Sequence, residues 1–525
     1  MNIFLNESFL TGFYFYFLLI IFLAVIILYI IRAKFINNLF KSIPNKFYVF
    51  LVLIFIFALV WRVFIMPPHM QIYHDEYVFL NVAENFALDQ SFSMCASRIG
   101  SDICLFNSFS AWPPAVPFLY SFLFRTFGLS NSIIFLFNAL MGSLSVVVGF
   151  FLAFALFKKL NLSILFALML ATLPFHIRLS GSYALSIISL LLSMLGFLLI
   201  IHYTKTLNLY DAFLFVLFFA FLINIRIENI LLILPYGLYF LLNTKKILPV
   251  RHVRFSFLLL LLSIPFFQYL FRGITLETES WTLSLSEHIH FLLIQFVGNL
   301  QFLFAHSSIH IVISLGLIVG VILSFKDYKK SLPLILWFAT LFLFLTSYPA
   351  GRFAAVNNFR YVLILSPVIF LFSAFFYDWL IEKIKTSSIY SKTTSNLISV
   401  FFLLLLCLVL FLIPVQNFES ITKTNELMNL FDEAETFSSS IPDDCLVLSN
   451  DPLFASFIIN HDIISLSNYD YNLFKSDYNC AKILYFHMSD SLQLSRSQTP
   501  FVGEQERMIS WEIADKTSIS ILSVI

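Results

Sequence analysis

The sequence predicts a polytopic α-helical membrane protein: about 12 transmembrane helices, followed by a small C-terminal extracytoplasmic α/β domain. Three observations carry this expectation. Of the 525 residues, 60% are hydrophobic and 12% charged, against about 25% charged in soluble domains. Apolar runs of roughly 20 residues, enough to cross a bilayer core as a helix, recur along most of the chain. Basic clusters punctuate alternate loops, as the positive-inside rule requires of a fixed orientation. The net charge of +1 argues against a nucleic-acid partner.

The runs fall at 9–32, 47–66, 131–157, 161–178, 182–203, 211–226, 229–243, 255–271, 308–324, 332–348, 360–377 and 397–415. The first exceeds the apolar core of about 7–15 residues found in signal peptides and lacks a small-residue cleavage site, so it reads as a span. Residues 1–46 are this extra helix with a basic loop, 47–415 the membrane body, and 416–525 a tail. The basic clusters are Arg32, Lys34, Lys41 and Lys46; Lys158 and Lys159; Lys245, Lys246, Arg251 and Arg254; Lys326, Lys329 and Lys330; and Lys383, Lys385 and Lys392. With twelve spans all five share one face, which is cytoplasmic. The expectation is an integral protein of the plasma or inner membrane with both termini extracytoplasmic.

Three larger pieces then face outward: a first loop at 67–131, a second at about 272–307, and the tail. In the tail, "DDCLVLSND" and "CAKILYFHM" read as buried strands and "TNELMNLFDEAETF" as an amphipathic helix. Cys95 and Cys104 lie in the first loop and Cys445 and Cys480 in the tail, an even number in each piece. That is the distribution expected where disulfides persist, and it suggests the pairs Cys95–Cys104 and Cys445–Cys480. The alternative for the tail pair is packing as small apolar side chains. Cys407 falls in the last span.

The first loop opens with "QIYHDEYVFLNVAEN", which gathers His74, Asp75, Glu76 and Glu84 directly after a span. Ion-coupled transporters need ionisable groups near the bilayer midplane. Here Arg62, Arg178, Arg226, Glu228, Arg352 and Arg360 all fall near predicted outer ends instead. Only 14 glycines are present, and helices that slide past one another use small residues at their contacts, so a mobile transporter is disfavoured. Acids in an outer loop beside arginines at the outer mouth suit sugar transfer from a lipid phosphate. A carboxylate accepts the proton of an acceptor hydroxyl, and guanidiniums neutralise a departing phosphate. The plain alternative is a solvated loop carrying surface acids, which is the reading for Glu84.

"HDEYVFLNVAENFA" also resembles the first outer loop of the GT-C membrane glycosyltransferases, in particular the protein O-mannosyltransferase and aminoarabinose-transferase branch. The pattern there, an Asp-Glu pair, an aromatic and an alanine eight residues after the Asp, maps to Asp75, Glu76, Phe79 and Ala83, with Asn85 in register. Three further stretches follow in the family's order: "WPPAVPFLYSFLFRTFG", "LINIRIENILLILP" and "NNFRYVLILSPVIFL". Together the four cover about 300 residues.

The resemblance implies a GT-C-like membrane body and an inverting transfer of a monosaccharide, a hexose or pentose such as mannose. The donor is a polyprenyl- or dolichyl-phosphate sugar; the acceptor is a glycan, a lipid or a protein, as in cell-envelope glycan assembly or protein glycosylation. Asp75 is then the general base and Glu76 shapes the site or binds acceptor, unless Glu76 is only a first-turn acid favoured by the helix dipole. Arg360 and Arg226 are candidate phosphate ligands, with Arg226–Glu228 equally readable as a local ion pair. Tyr361 and His74 shape the site; Tyr361 is alternatively an interfacial aromatic. His306 is a further phosphate candidate. His306 and His310 share a helix face at i, i+4, but without an HExxH pattern they read as interfacial histidines, and no metal or other cofactor is implied.

Two positions depart from the branch. Trp112 replaces a basic residue before the Pro-Pro pair, and Asn138 stands where relatives carry an Arg in the next span. Both basic residues are associated with phosphate recognition, so Arg178 or Arg352 must substitute or the donor differs. An oligosaccharyltransferase is disfavoured, because the tail is short and lacks a Trp-Trp-Asp motif. The competing classes are a multispan transporter or flippase for a lipid-linked substrate and an O-antigen polymerase or ligase.

Overall fold

The computed structural model describes 7–31, 44, 46–66, 73–88, short strands between 90 and 109, 113–244, 284–306, 309, 311–348, 351–353, 359–386, 392–416 and four strands of the tail. Fifteen α-helices are described: α1 Glu7–Ile31, α2 Lys46–Val60, α3 Tyr73–Leu88, α4 Ala115–Phe127, α5 Asn131–Phe157, α6 Leu160–Ala171, α7 Pro174–Ser180, α8 Ser186–Thr206, α9 Leu209–Ile223, α10 Ile233–Asn243, α11 Leu285–Ala305, α12 Ile311–Ser324, α13 Tyr328–Thr346, α14 Phe359–Thr386 and α15 Lys392–Gln416. Each predicted span is largely helical where it is described, and 255–271 lies outside the described residues.

Among the described residues, six helices are long and apolar enough to cross a membrane, seven if one bent pair counts as a single span. The shortfall from twelve has physical causes. The 15 residues of α9 rise only about 22 Å, less than a hydrocarbon core of about 30 Å. The predicted span at 161–178 breaks into α6 and α7, bent by 60°. Pro174 opens α7 without an N–H to donate and holds Leu173 in an extended conformation, which ends α6. The predicted spans at 308–324 and 332–348 run together as one 36-residue apolar stretch, Ile311–Thr346.

Half of the second outer loop is likewise helix. Ser284 and Glu287 form a reciprocal capping box that starts α11. The S-x-x-E signal was present in "SLSEHIHFLL" and marks the helix start.

The first loop folds back as an α-hairpin. Its helix α3 packs along α4, burying Val78, Phe79, Val82, Ala83 and Phe86. Arg125 closes the hairpin, its Nε and Nη2 donating to the carbonyls of Ala87 (2.9 Å) and Phe86 (2.8 Å) at the C-terminal end of α3, where a cation also suits the helix dipole. The N-terminal helix α1 lies on this hairpin and on α9, with Phe22 against Phe118, Phe122 and Phe221.

Strands Ser93–Cys95 (β1) and Asn107–Phe109 (β4) make a two-stranded antiparallel sheet. Arg98–Ile99 (β2) and Ile103–Cys104 (β3) instead join the tail strands Cys445–Ser449 (β5), Ile463–Ser465 (β6), Cys480–His487 (β7) and Ser518–Val524 (β8) in a six-stranded mixed sheet, order β3-β2-β6-β5-β7-β8. β2 pairs with β6, so the first loop and the tail share one side of the membrane. Both tail strands expected from the sequence are present as β5 and β7; the expected amphipathic helix lies outside the described residues.

On α12, Gly316 and Gly320 form a GxxxG face against α14. A Cβ at Gly320 would lie 1.9 Å from the Phe372 carbonyl oxygen, and one at Gly316 3.0 Å from the Tyr377 ring. Ser373 and Tyr377 donate to the carbonyls of Ile313 and Val312 across this contact. Helix α14 carries Arg360 and Tyr361, so the crossing positions two candidate site residues. Gly320→Ala is expected to cost about 1–3 kcal/mol by overpacking, read as a lowered thermal midpoint in detergent. Gly237→Ala, where a Cβ meets nothing within 4 Å, should be neutral or mildly stabilising.

Candidate active site

Asp75 and Glu76 lie in the first turn of α3. The side chains of His74 and Asp75 fall outside the described residues; that of Glu76 is fully buried. Glu76, Phe79, Leu80 and Ala83 follow i, i+3, i+4, i+7 and are all buried, so most of the sequence pattern around Asp75 is the packing stripe of one helix. Burial on this scale is more than a solvated first-turn acid requires. Glu84 is half-buried and not on the open surface expected for it.

A polar pair is buried near Glu76. Tyr120 on α4 and Asn138 on α5 are both fully buried and hydrogen-bonded, with Asn138 Nδ2 donating to Tyr120 Oη (2.8 Å) and to the Ser182 carbonyl (2.6 Å). Tyr120 Oη in turn donates to the Tyr183 carbonyl (3.1 Å). Burial first, and the Glu76 charge in addition, hold the Tyr120 phenol above its ordinary range, so it acts as a neutral donor.

Four of the predicted residues converge at a second point. Arg226 makes a forked pair with Glu228, Nη2 to Oε1 at 2.8 Å and Nε to Oε2 at 3.4 Å, while its Nη1 donates to Ser186 Oγ at 3.0 Å. Its guanidinium lies 5.6 Å from the centre of the Tyr361 ring, and that of Arg360 lies 5.0 Å from the same centre. Arg360 Nη2 also approaches Tyr361 Oη at 3.4 Å. Arg226 is therefore ion-paired, and it shares the Tyr361 ring with a second arginine.

Local structure explains this placement. The chain leaves α9 at Asn224 and passes through a 3-10 turn, Ile227–Leu232, before α10. Asn229 fixes that turn, donating to the Leu222 carbonyl (2.9 Å) and accepting from Ser189 Oγ (3.0 Å). The Ala115 N–H donates to the Asn224 carbonyl (3.0 Å), joining the start of α4 to the same turn.

Burial alone would raise the Glu228 pKa, but Arg226, through charge and hydrogen bonds, and Arg360 bring it below the ordinary 4.5. The contribution of the pair to stability is thus full above the usual carboxylate range and is lost only as pH falls through that lowered value. The cluster carries two guanidiniums and one ionised carboxylate, a net positive charge.

The remaining candidates are more scattered. Arg178 is half-buried in the last turn of α7. Arg352 is exposed on a turn braced by Asn299, which donates to the Gly351 carbonyl and accepts from the Phe353 N–H. His306 caps α11 and stacks on Phe302 at 4.2 Å. Burial pushes its imidazole below the ordinary value, so near neutral pH it can offer a hydrogen bond but no charge. His310 and Trp112 lie outside the described residues.

Sequence reasoning treated Asn138 only as a missing arginine and did not single out Tyr120, Tyr183 or Ser186. An amide in the apolar run "FLFNALMG" was the available signal, since a polar side chain in a span needs a partner.

No protein-family model and no curated protein matches the sequence. Solved structures do match. ArnT from Cupriavidus metallidurans in the apo state superposes with a TM-score of 0.56 at 13% identity, covering 84% of this chain and 93% of that one. The same protein bound to undecaprenyl phosphate gives 0.54 at 12%, covering 85% and 94%. The archaeal oligosaccharyltransferase AglB from Archaeoglobus fulgidus, in complex with an inhibitory peptide and a dolichol-phosphate, gives 0.51 at 10%, covering 84% and 69%.

Removing one partner of a largely buried ion pair costs about 3–5 kcal/mol. Arg226→Met should approach the lower end, because the Glu228 side chain keeps 16% exposure. Adding Glu228→Gln should recover part of the thermal stability, since no uncompensated carboxylate then remains. At 84–85% coverage in all three superpositions, the chain has the fold of the GT-C membrane glycosyltransferases.

Proposed function

We propose that this protein is an inverting glycosyltransferase. It moves a monosaccharide, a hexose or pentose, from a polyprenyl- or dolichyl-phosphate carrier to an acceptor on the extracytoplasmic side of the membrane. The observation that carries this reading is the meeting of Arg226, Glu228, Arg360 and Tyr361 beside the turn bonded to α4, the partner helix of the Asp75 helix. The matching structures add support: ArnT is bound to undecaprenyl phosphate and AglB to dolichol-phosphate.

The chemistry follows from charge. A polyprenyl-phosphate sugar is a phosphodiester with one negative charge. As the bond from the anomeric carbon to the phosphate oxygen breaks, its electrons stay on that oxygen and the phosphate becomes a monoester with a second charge. Arg360 and Arg226 stabilise that growing charge, and Glu228 keeps the Arg226 fork aligned. The acceptor oxygen attacks the anomeric carbon from the opposite face as Asp75 takes its proton, which inverts the configuration. Glu76 holds the first turn of α3, and His74 and Tyr361 shape the acceptor side. Arg178, Arg352 and the His306 ring are secondary contacts for the phosphate or its path. The reaction needs the lipid-phosphate donor and no metal.

The same reading assigns twelve crossings with both termini outside. Residues 1–46 are an added helix and loop, 47–415 the catalytic body, and 416–525 an extracytoplasmic α/β domain. Cys445 and Cys480 are partners on adjacent parallel strands, whose spacing of about 4.8 Å suits a disulfide; Cys95–Cys104 is the corresponding pair proposed for the first loop.

In membranes supplied with polyprenyl-phosphate sugars, Asp75→Asn is expected to lower transfer at least 100-fold while donor binding persists. Undiminished turnover removes the assignment of the base. EDTA should leave wild-type turnover unchanged.

A further inference from the structure

The segment "SGSYALS", Ser180 to Ser186, joins α7 to α8, and Arg62, Asn138, Tyr120 and Arg226 all bond to it. At its first residue, Ser180 Oγ accepts from Arg62 Nε (3.2 Å). Arg62 is 2% exposed, set in the π-helical turn Trp61–Ile65 that ends α2. Its Nη1 donates to the Ala58 carbonyl (2.7 Å) and its Nη2 bonds His176 Nδ1, whose ring binds Ser145 Oγ through Nε2 (2.8 Å). Gly142 admits the contact, because a Cβ there would lie 2.2 Å from Ser180 Oγ.

In the middle of the segment, the Ser182 and Tyr183 carbonyls accept from Asn138 and Tyr120, and the Tyr183 ring stacks on Phe135 at 4.3 Å. At its last residue, Ser186 Oγ accepts from Arg226. One buried turn thus bonds the neutral pair beside Glu76 at its centre and the guanidinium of the donor cluster at its end. Ser180, Ser182, Tyr183 and Ser186 are each at most 4% exposed.

We propose that Asn138 and Tyr120 are positioning residues: by holding the Ser180–Ser186 turn, they set the first turn of α3 in register with the Arg226–Arg360 cluster. This rests on the transferase reading above for its kinetic consequence, though not for its geometry. The Asn138 amide donates to the Tyr120 phenol and the Ser182 carbonyl at once, so a residue of similar size without the amide frees the turn while leaving every arginine in place.

Kinetics test it. Asn138→Leu and Tyr120→Phe should each lower kcat about 10–100-fold, the range expected for a displacement near 1 Å. The KM for polyprenyl-phosphate sugar should stay within about 3-fold, because the arginine cluster is untouched. The double variant should lose no more than the worse single one, as two members of one network do. A merely structural role would lower the yield of folded protein and leave kcat per folded molecule unchanged; that result, or additive losses, overturns the proposal.

A second arm does not depend on activity. In Asp75→Cys protein, labelling by a membrane-impermeant maleimide is followed at position 75 by mass spectrometry. Adding Asn138→Leu should change that rate at least 3-fold, and an unchanged rate overturns the proposal whatever the turnover. If labelling of the Asp75→Cys protein changes as expected but wild-type protein transfers no sugar from any polyprenyl phosphate, the transferase reading alone is contradicted.

Discussion

Polar groups buried in a low-dielectric interior must bond one another, and in this protein that constraint is concentrated at the turn from Ser180 to Ser186. Arg62, Asn138, Tyr120 and Arg226 approach it from four separate elements, and each finds its partner there. An unmade hydrogen bond costs more in such surroundings than on a surface. The four elements therefore cannot shift independently. The turn exists because Pro174 breaks the preceding span, leaving a short α7 and a non-helical stretch where a straight helix would have offered no free carbonyls.

A separate device secures the other wall of the site. The GxxxG face of α12 brings its backbone against α14, and Lys159 ties the far end of α14 to the α5–α6 connection through Asp378 and Glu382, both at 2.9 Å. Arg360 and Tyr361 start that helix, so a rigid α14 presents them from a fixed height. Glu228 then aligns Arg226 with the same Tyr361 ring. A net positive cluster on rigid elements is suited to a charge that grows during reaction, since its donors need not reorganise.

Much of this was legible in the sequence. Apolar runs located the helices, and the acids and arginines of the outer mouth were singled out before their geometry was known. Arg226, Glu228, Arg360 and Tyr361 were legible because charged residues are rare near spans and each stood out singly. What could not be read was pairing across distance. Nothing in "SRIGSDICL" announces that β2 will pair with β6, where Arg98 meets Ile463 from the far end of the chain. Asn138 looked like a lost phosphate ligand because its partners, a tyrosine eighteen residues earlier and the Ser182 carbonyl, carry no local signature. The broken span was visible in Pro174, but hydropathy averages over such a break.

The central claim is that the cluster of Arg226 and Arg360 receives a lipid phosphate opposite the acid of α3. The most direct measurement is a density map of the full-length protein in lipid nanodiscs with polyprenyl phosphate bound. The proposed chemistry predicts the phosphate within hydrogen-bond reach, about 2.7–3.2 Å, of at least one of these guanidiniums, with the Asp75 carboxylate facing the same cavity. A phosphate held elsewhere, or Asp75 opening onto a different cavity, would contradict it.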